Sequence, residues 1–289
     1  MILIDYSAIA ISNIVTQKLD IQEDMVRHMI LNSIRMYRSK FKEKYGEVVI
    51  AGDAGNNWRY GAFPQYKAAR KKNRKDSKLD WQEIFRIINL VWEELGENFP
   101  YKTIKVDGCE ADDIIGVLAQ NTQEFGRHEE VMIISADKDF AQLQKYKNIA
   151  QFSPMTKKFI KEEHPRKQLL ELILKGDTSD GVPNVLSGDN VFVDGSRQTP
   201  LRKPIIEALM QDPTSQGQEV LRNIQRNRKL IDLESTPEVL KENIIHSYDK
   251  QDRWSNRGKV FPFLVEKRCR RLIDDIKDNQ MEGGSGELL

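Results

Sequence analysis

The chain has 289 residues, which is enough for one large core or for one core with a smaller helical lobe. Its 45 Lys and Arg against 44 Asp and Glu give a net charge of +1, which excludes a simple basic DNA-coating protein. Two cysteines and the lack of a long apolar run exclude a disulfide framework and a membrane span, so we expect a soluble, cytoplasmic protein without a membrane partner.

Four short apolar runs, each followed by polar residues, are predicted to be strands: residues 2–5, 47–53, 102–107 and 131–137. Between them, apolar residues recur every three or four positions in residues 26–41, 81–95 and 114–118, which predicts helices. Strands that alternate with helices predict a mainly parallel sheet with helices on both faces. Ligands bind such sheets outside the carboxyl ends of the strands.

The chain after about residue 164 is predicted to be mainly helical, with helices over residues 166–174, 204–210, 218–230, 237–248 and 261–276. We therefore expect an α/β region over residues 1–163, a helical region over residues 164–278, and a flexible tail over residues 279–289, which contain Gly-Gly-Ser-Gly.

Acidic residues follow every predicted strand: Asp5, then Asp53, then Glu110, Asp112 and Asp113, then Asp137 and Asp139. Because the carboxyl ends of parallel strands meet at one edge of a sheet, we expect these acids to converge. Crowded carboxylates repel one another, and a divalent cation such as Mg²⁺ or Mn²⁺ removes that repulsion. Taken singly, Asp139 also fits a helix cap and Asp5 a buried acid bonded to backbone. Asp177 and Asp180 lie in a Gly/Pro-bounded loop that alone predicts only a turn.

Residues 67–78 contain seven basic side chains and one acid, and aromatic residues precede them. A solvated basic helix has this composition, but so does a surface that grips a single nucleic-acid strand through phosphate contacts and base stacking. The segment around residues 58–78 interrupts the alternation of strands and helices, which indicates an excursion from the sheet.

Taken in order, residues 3–7, 53–59, 66–70, 110–113, 134–140 and 174–180 resemble the motifs of the flap endonuclease/5′-nuclease superfamily. Within it the chain is most similar to the phage branch of the T-even ribonucleases H. The resemblance implies a PIN-like/5′-nuclease fold with a helical arch over about residues 58–97 and a helix-three-turn-helix-like element that binds DNA.

The resemblance also implies two divalent ions, Mg²⁺ or Mn²⁺, in one acidic pocket. Those expected around the first ion are Asp5, Asp53, Asp113 and Asp137, with Glu110 one helical turn from Asp113 and facing the same pocket. Those expected around the second are Asp139, Asp177 and Asp180. Asp112 occupies a position that is acidic in some members and an amide in others.

Further residues are expected, by resemblance, to contact nucleic acid. Lys67 and Arg70 would reach the scissile phosphate, and with Asp113 and Asp137 they form the expected catalytic set. The arch residues expected to grip a single strand are Arg59, Lys71, Lys72, Arg74 and Lys75. The residues expected to hold a duplex are Lys175, Arg202 and Lys203.

The function implied is a 5′→3′ exonuclease and flap endonuclease that hydrolyses RNA·DNA and DNA duplexes, removing lagging-strand RNA primers in phage replication within the host cytoplasm. A monomer that works beside a single-stranded DNA-binding protein and a sliding clamp is expected. Two alternatives are a catalytically inactive DNA-binding homologue and a PIN-like ribonuclease, although the latter lacks a basic arch and a long helical half. A haloacid-dehalogenase-like phosphatase requires an acid at position 7, where this chain has Ser7.

Overall fold

The computed structural model describes residues 1–15, 21–68, 70, 79–252 and 254–274, and it contains a six-stranded sheet in the order β3-β2-β1-β4-β5-β6. Its strands are β1 Ile2–Asp5, β2 Val48–Ala51, β3 Lys102–Ile104, β4 Val131–Ile134, β5 Ile149–Ser153 and β6 Lys158–Ile160. Strands β1 to β5 are parallel, and β6 pairs antiparallel with β5 at the edge.

The central strands are apolar, apart from Asp5 at the end of β1, because both of their faces are buried. Every residue of β1, β2 and β4 is buried, which explains why these runs do not alternate between apolar and polar residues. The four predicted strands are confirmed, with shorter ends than expected for the last three. Strands β5 and β6 were not predicted. The run Ile149–Ser153 mixes polar and apolar residues, and Lys158–Ile160 is short and largely exposed.

The helices over the sheet are Tyr6–Val15, Glu23–Tyr45, Trp81–Asn98 and Ala111–Asn121, with the short helix Trp58–Ala62 beside them. The later helices are Pro165–Lys175, Lys203–Gln211, Gln218–Ile231, Glu238–Lys250 and Arg257–Glu266. Local sequence sets several ends. Asp80 caps Trp81–Asn98 by accepting a hydrogen bond from the Glu83 amide at 3.0 Å. Gly46, at φ 78°, ends Glu23–Tyr45 and turns the chain into β2.

The last predicted helix, residues 261–276, is wrong in its bounds. The structure has two helical stretches there, Arg257–Glu266 and residues 270–274, with residues 267–269 between them, and residues 275–276 lie outside the described ranges. The break is a Schellman motif: Arg268 adopts φ 53°, its amide donates to the Val265 carbonyl, and the Cys269 amide donates to the Leu264 carbonyl. Because the left-handed residue is an arginine and not a glycine, the sequence carries no obvious stop signal.

Apolar cores lie on both faces of the sheet. Glu23–Tyr45, Trp81–Asn98 and Arg257–Glu266 pack on one face, and Ala111–Asn121 and Glu238–Lys250 pack on the other. Glu238–Lys250 contacts β3, and Arg257–Glu266 packs against Trp81–Asn98. Both helices therefore join the apolar cores across the predicted boundary at residue 164, and the domain division stays a prediction. Within the described ranges, no helix is long and apolar enough to span a membrane.

Candidate active site

The carboxyl edge of the sheet opens into a cavity of about 430 Å³. The acids that line it are Asp5, Asp53, Glu110, Asp112, Asp137 and Asp180, and the basic residues that line it are Lys67 and Arg70. Asp5 is the last residue of β1, and Asp53 and Asp137 follow β2 and β4 closely. Acids that are far apart in sequence therefore meet at the strand ends, as the parallel topology predicts.

Backbone and hydroxyl donors fix two of these carboxylates. Asp5 accepts a hydrogen bond from the Ala8 amide at 3.0 Å and one from the Ser135 hydroxyl at 3.1 Å. Asp53 accepts one from the Ser7 hydroxyl at 2.7 Å and one from the Ala111 amide at 2.9 Å. The turns that follow the strands thus orient the acids toward the cavity, and Ser7 serves as a hydrogen-bond donor.

A second, smaller cavity adjoins the first. The acids that line it are Asp112, Asp139, Asp177 and Asp180, so Asp112 and Asp180 belong to both cavities. Asp137 accepts a hydrogen bond from the Asp139 amide at 2.9 Å, which places these two acids side by side. The buried Oδ1 of Asp139 has no hydrogen-bond partner among the residues that the structure describes. A buried carboxylate oxygen without a donor is costly unless a cation binds it.

Burial, and next to it mutual repulsion, raises the pKa of several acids. Burial, together with Asp53 and Asp137, raises the pKa of Asp5 to about 7. Burial and the charges of Asp137 and Asp5 raise the pKa of Asp112 well above its ordinary value. Burial and the neighbouring acids likewise raise the pKa of Asp137 and of Asp139. The cavity is therefore short of positive charge.

Asp177 differs from its neighbours because it has donors of its own. Burial alone would raise its pKa, but hydrogen bonds from Ser179 and from the Lys138 ammonium outweigh burial and hold the pKa below its ordinary value. The Lys138 ammonium lies 3.0 Å from a carboxylate oxygen of Asp177. Asp177 is thus ionised and partly satisfied without a metal ion.

Asp113, which was expected in the pocket, lies outside it. Its side chain is fully buried, and it accepts hydrogen bonds from the Glu110 amide at 2.9 Å, Trp58 Nε1 at 3.2 Å and the Thr236 hydroxyl at 3.0 Å. It also forms an ion pair with Arg59 at 2.9 Å. Its oxygens are occupied by these donors, which corrects the expectation that Asp113 faces the pocket with Glu110.

Arg59 is likewise internal and does not form part of an exposed nucleic-acid surface. Its residue exposure is 2%. Besides Asp113, its guanidinium lies 3.6 Å from Glu110 and donates to the Leu230 carbonyl at 2.9 Å. The structure thus corrects the expected contact between Arg59 and nucleic acid, because a side chain engaged in this way links the site to the helix Gln218–Ile231.

Lys67 and Arg70 face the acids, and their contact with a scissile phosphate stays a prediction. Lys67 pairs with Glu110 and lies 3.5 Å from Asp180, with which Arg70 also pairs. The Tyr66 hydroxyl bridges the same two acids, at 2.9 Å from Glu110 and 2.8 Å from Asp180. These contacts hold two cations at the rim of the acid-lined cavity.

Three of the remaining residues predicted to contact nucleic acid are described by the structure, and four are not. Lys175, Arg202 and Lys203 are exposed on the helical region and line neither cavity, so their role in holding a duplex stays a prediction. Four predicted arch residues lie outside the described residues: Lys71, Lys72, Arg74 and Lys75.

Within the described ranges, no three acids are already arranged around one point as ligands of a metal ion. The donor set nevertheless fits a hard divalent cation, because it consists of carboxylate oxygens whose charges repel one another and of one buried oxygen without a donor. Lys67 and Arg70 supply part of the missing positive charge in this arrangement.

The sequence did not show that Asp112 lines the cavity while Asp113 is turned away from it, nor did it show the contacts of Tyr66. One signal was present: Asp113 precedes Val117 by four residues and therefore lies on the apolar stripe of its helix. The walls formed by Pro154 and Met155 were also missed as part of the site. They follow β5, which itself was not predicted.

Two family models together match most of the chain. The 5′-3′ exonuclease N-terminal resolvase-like domain matches residues 1–170, and the T4 RNase H C-terminal domain matches residues 164–279. The chain is 34% identical to the ribonuclease H of Enterobacteria phage T4, over 96% of this chain and 94% of that protein. It is 34% identical to a 5′-3′ exonuclease of Buchnera aphidicola over 48% of this chain and 47% of that protein.

Solved structures support the same fold. A bacteriophage T5 protein co-crystallised with metal ions has a TM-score of 0.59 and 16% identity, covering 90% of this chain and 98% of that one. A T5 flap endonuclease complex with DNA and metal ions also has a TM-score of 0.59, at 17% identity, covering 90% and 97%. The family models and the similar proteins define the class of this chain: it is a nuclease, which hydrolyses phosphodiester bonds. The chain belongs to the 5′-3′ exonuclease family and is a nuclease of the branch with a ribonuclease H C-terminal domain.

Proposed function

We propose that this nuclease removes nucleotides from 5′ ends and cuts single-strand flaps, using two divalent ions held at the carboxyl edge of the sheet. One observation carries the proposal: six acids from five separate parts of the chain line one cavity, opposite Lys67 and Arg70. Metal-dependent hydrolysis of a phosphodiester requires carboxylates that bind metal ions. It is also favoured by basic side chains that contact the phosphate.

The two cavities suggest how the ions divide. The acids proposed for the larger cavity are Asp5, Asp53, Asp112 and Asp137, and those proposed for the smaller one are Asp139, Asp177 and Asp180. Glu110 lines the larger cavity and accepts a hydrogen bond from Tyr66, which lines the smaller one. When bound, Mg²⁺ or Mn²⁺ would lower the pKa of a coordinated water and stabilise charge on the phosphorus centre and the leaving oxygen. Support comes from the oxygen-only donor set and from related T5 structures that contain metal ions.

Lys67 and Arg70 would act on the substrate. On substrate binding, the scissile phosphate would replace Glu110 and Asp180 as their anionic partner and receive positive charge where charge develops. Tyr66 would keep those two acids in position while the lysine and arginine change partners.

The proposed substrates are RNA·DNA hybrids and DNA duplexes with 5′ ends or flaps, as in the clearance of lagging-strand RNA primers. Support comes from the similar T4 protein, which is named ribonuclease H, and from the T5 flap endonuclease complexed with DNA. A monomer acting in the host cytoplasm beside a single-stranded DNA-binding protein and a sliding clamp completes the proposal.

Digestion of 5′-labelled flap, nicked RNA·DNA and single-stranded substrates tests it directly. Products from flap and nicked substrates are expected with Mg²⁺ or Mn²⁺ and are expected to disappear with EDTA. Full cleavage in EDTA would contradict the metal mechanism, and absence of cleavage with either metal ion would favour an inactive homologue.

A further inference from the structure

A basic pocket lies at the edge of the sheet opposite the acids. Its volume is about 330 Å³, and it opens where β2 and β3 begin, beside Val48 and Lys102. These strands run parallel to β1, whose other end carries Asp5. A four-residue strand spans roughly 13 Å, so the sheet separates this pocket from a phosphate held at the acids.

Four basic side chains line the pocket: Arg38, Lys42, Lys102 and Arg257. Lys102 has an acidic neighbour, because Glu47 lies 3.9 Å from its ammonium. Arg38 and Arg257 make no ion pair with any acidic side chain that the structure describes. The pocket is therefore positively charged.

Arg38 and Arg257 occupy positions that do not stabilise their helices, whereas Lys42 lies in the last turn of its helix, where the helix dipole favours a cation. Arg38 and Lys42 are four residues apart on Glu23–Tyr45, where like charges repel. Arg257 is the first residue of its helix, where the helix dipole is unfavourable to a cation. Burial, together with Arg38 and Arg257, lowers the pKa of Lys42. An anion in the pocket would relieve this repulsion.

The remaining walls favour a peptide over a nucleic acid. Val48, Pro100 and Tyr101 provide an apolar surface, and Trp254 is 63% exposed with one face covered by the Arg257 guanidinium at 3.8 Å. The pocket is a small concavity, whereas a duplex contacts proteins over a broad surface. Glu47 and Asp252 also line it, and they would repel a continuous phosphate backbone. A peptide can space its carboxylates to avoid them.

We propose that this pocket binds an acidic segment of a protein partner, which docks while the opposite edge of the sheet holds DNA. Carboxylates of the segment pair with Arg38, Lys42 and Arg257, and an apolar side chain packs against Tyr101 and Trp254. The inference goes beyond the proposed nuclease function: only the statement that DNA occupies the opposite edge rests on that function, whereas binding of the acidic segment does not.

Fluorescence polarisation with the full chain tests the pocket. The probe is a labelled peptide of about eight residues with four aspartates and two phenylalanines, compared with its asparagine counterpart and with a single-stranded DNA oligonucleotide. The wild-type chain is expected to bind the aspartate peptide and not the asparagine peptide. Arg38→Glu and Arg257→Glu are each expected to weaken that binding at least tenfold, about 1.4 kcal/mol. The exposed Lys161→Glu serves as the matched control and is expected to bind normally.

Equal thermal midpoints and unchanged cleavage of a flap substrate establish that the variants are folded. If a glutamate disrupts its helix, the milder pair Arg38→Gln with Arg257→Gln gives the same test. Failure of the wild-type chain to bind the aspartate peptide at low ionic strength overturns the proposal. Unchanged peptide binding by both arginine variants overturns it as well, and so does selective loss of the oligonucleotide, which would make the pocket a nucleic-acid site.

Discussion

The neighbouring acids Asp112 and Asp113 differ in what surrounds their carboxylates: one faces other acids and the other faces hydrogen-bond donors. Asp112 lines both cavities and has a raised pKa, while Asp113 is fully buried with four donors around it. We expect Asp112→Asn to lower the single-turnover cleavage rate at least tenfold, about 1.4 kcal/mol of barrier, without loss of stability, because it removes a repelled charge.

Asp113→Asn is expected to lower stability and to leave the cleavage rate largely unchanged. It leaves the buried Arg59 without its carboxylate and should lower the free energy of unfolding by about 3 kcal/mol in urea. Cleavage measured on the folded fraction should change far less than in Asp112→Asn. If the Asp113→Asn chain were stable but inactive, Asp113 would have to be a residue of the active site.

The raised pKa values predict how metal-free stability depends on pH. A carboxyl whose pKa is raised on folding stabilises the protein below its ordinary pKa and loses that contribution as pH rises through the folded value, about 7 for Asp5. Acids with lowered pKa, such as Asp177, have already completed their contribution above about pH 4. Stability in EDTA should therefore fall between pH 5 and pH 8.

Mg²⁺ should reverse this fall, since it binds the ionised carboxylates of the folded chain. Thermal melts with EDTA and with Mg²⁺ at both pH values provide the measurement. The metal-induced rise in melting temperature should be larger at pH 8. An equal rise at both pH values would contradict the assignment of these acids as ligands.

At the scale of single elements, the short segment of Lys67 and Arg70 brings positive charge to the acids. Lys67→Ala should slow the single-turnover rate by about a hundredfold, the effect of losing one oriented charge, with little change in binding. Neutralising Lys71, Lys72, Arg74 and Lys75 together should instead weaken binding and flatten its salt dependence. Lys161→Ala is the control for charge loss alone. If Lys67→Ala and the fourfold neutralisation had equal effects on rate and on binding, the division between a catalytic lysine and a binding segment would be wrong.

Within the helical region, Arg226 connects elements through Asp189. Its side chain is 6% exposed, it pairs with Asp189, and it donates to the Pro183 carbonyl at 3.1 Å. Arg226→Ala should lower the free energy of unfolding by about 3 kcal/mol, because Asp189 and the Pro183 carbonyl lose a buried, charged hydrogen-bond donor. Arg222 shares Asp189 but has 58% side-chain exposure, so Arg222→Ala should cost less than about 1 kcal/mol. Similar urea midpoints for both variants would contradict this difference.

The elements differ in how far the sequence predicts them. Strands buried on both faces are continuous apolar runs, so β1, β2, β3 and β4 and the acids after them could be predicted. Strand β5 could not, because Gln151 in it is buried yet polar: its amide donates to the carbonyls of Ser135 and Asp137, a contact formed only in the tertiary structure. The choice between Asp112 and Asp113 depends in the same way on Arg59, more than fifty residues away in sequence.

At the scale of the whole molecule, Lys67 and Arg70 pair with acids of the cavity. A nucleic-acid strand that reaches these acids therefore passes beside the two basic residues. We expect cleavage to start at 5′ ends and to proceed 5′→3′. A flap whose 5′ strand is made double-stranded should stall the enzyme, and a covalently closed circle without a nick should be a very poor substrate. Comparing nicked and closed forms of one labelled plasmid measures this. Rapid cutting of the closed circle, or degradation from 3′ ends, would contradict the role.

The position of β1 between β2 and β4 has a consequence for biosynthesis. Ile2 pairs with Met132, so one side of the first strand made has no partner until β4 has left the ribosome. At 5 to 20 residues per second this takes roughly 6 to 26 s. An apolar strand with an open edge is prone to pair with other chains during that interval. Asp5 and Asp137 can meet only when this pairing forms, so we expect no nuclease activity from a nascent chain before β4 has paired with β1.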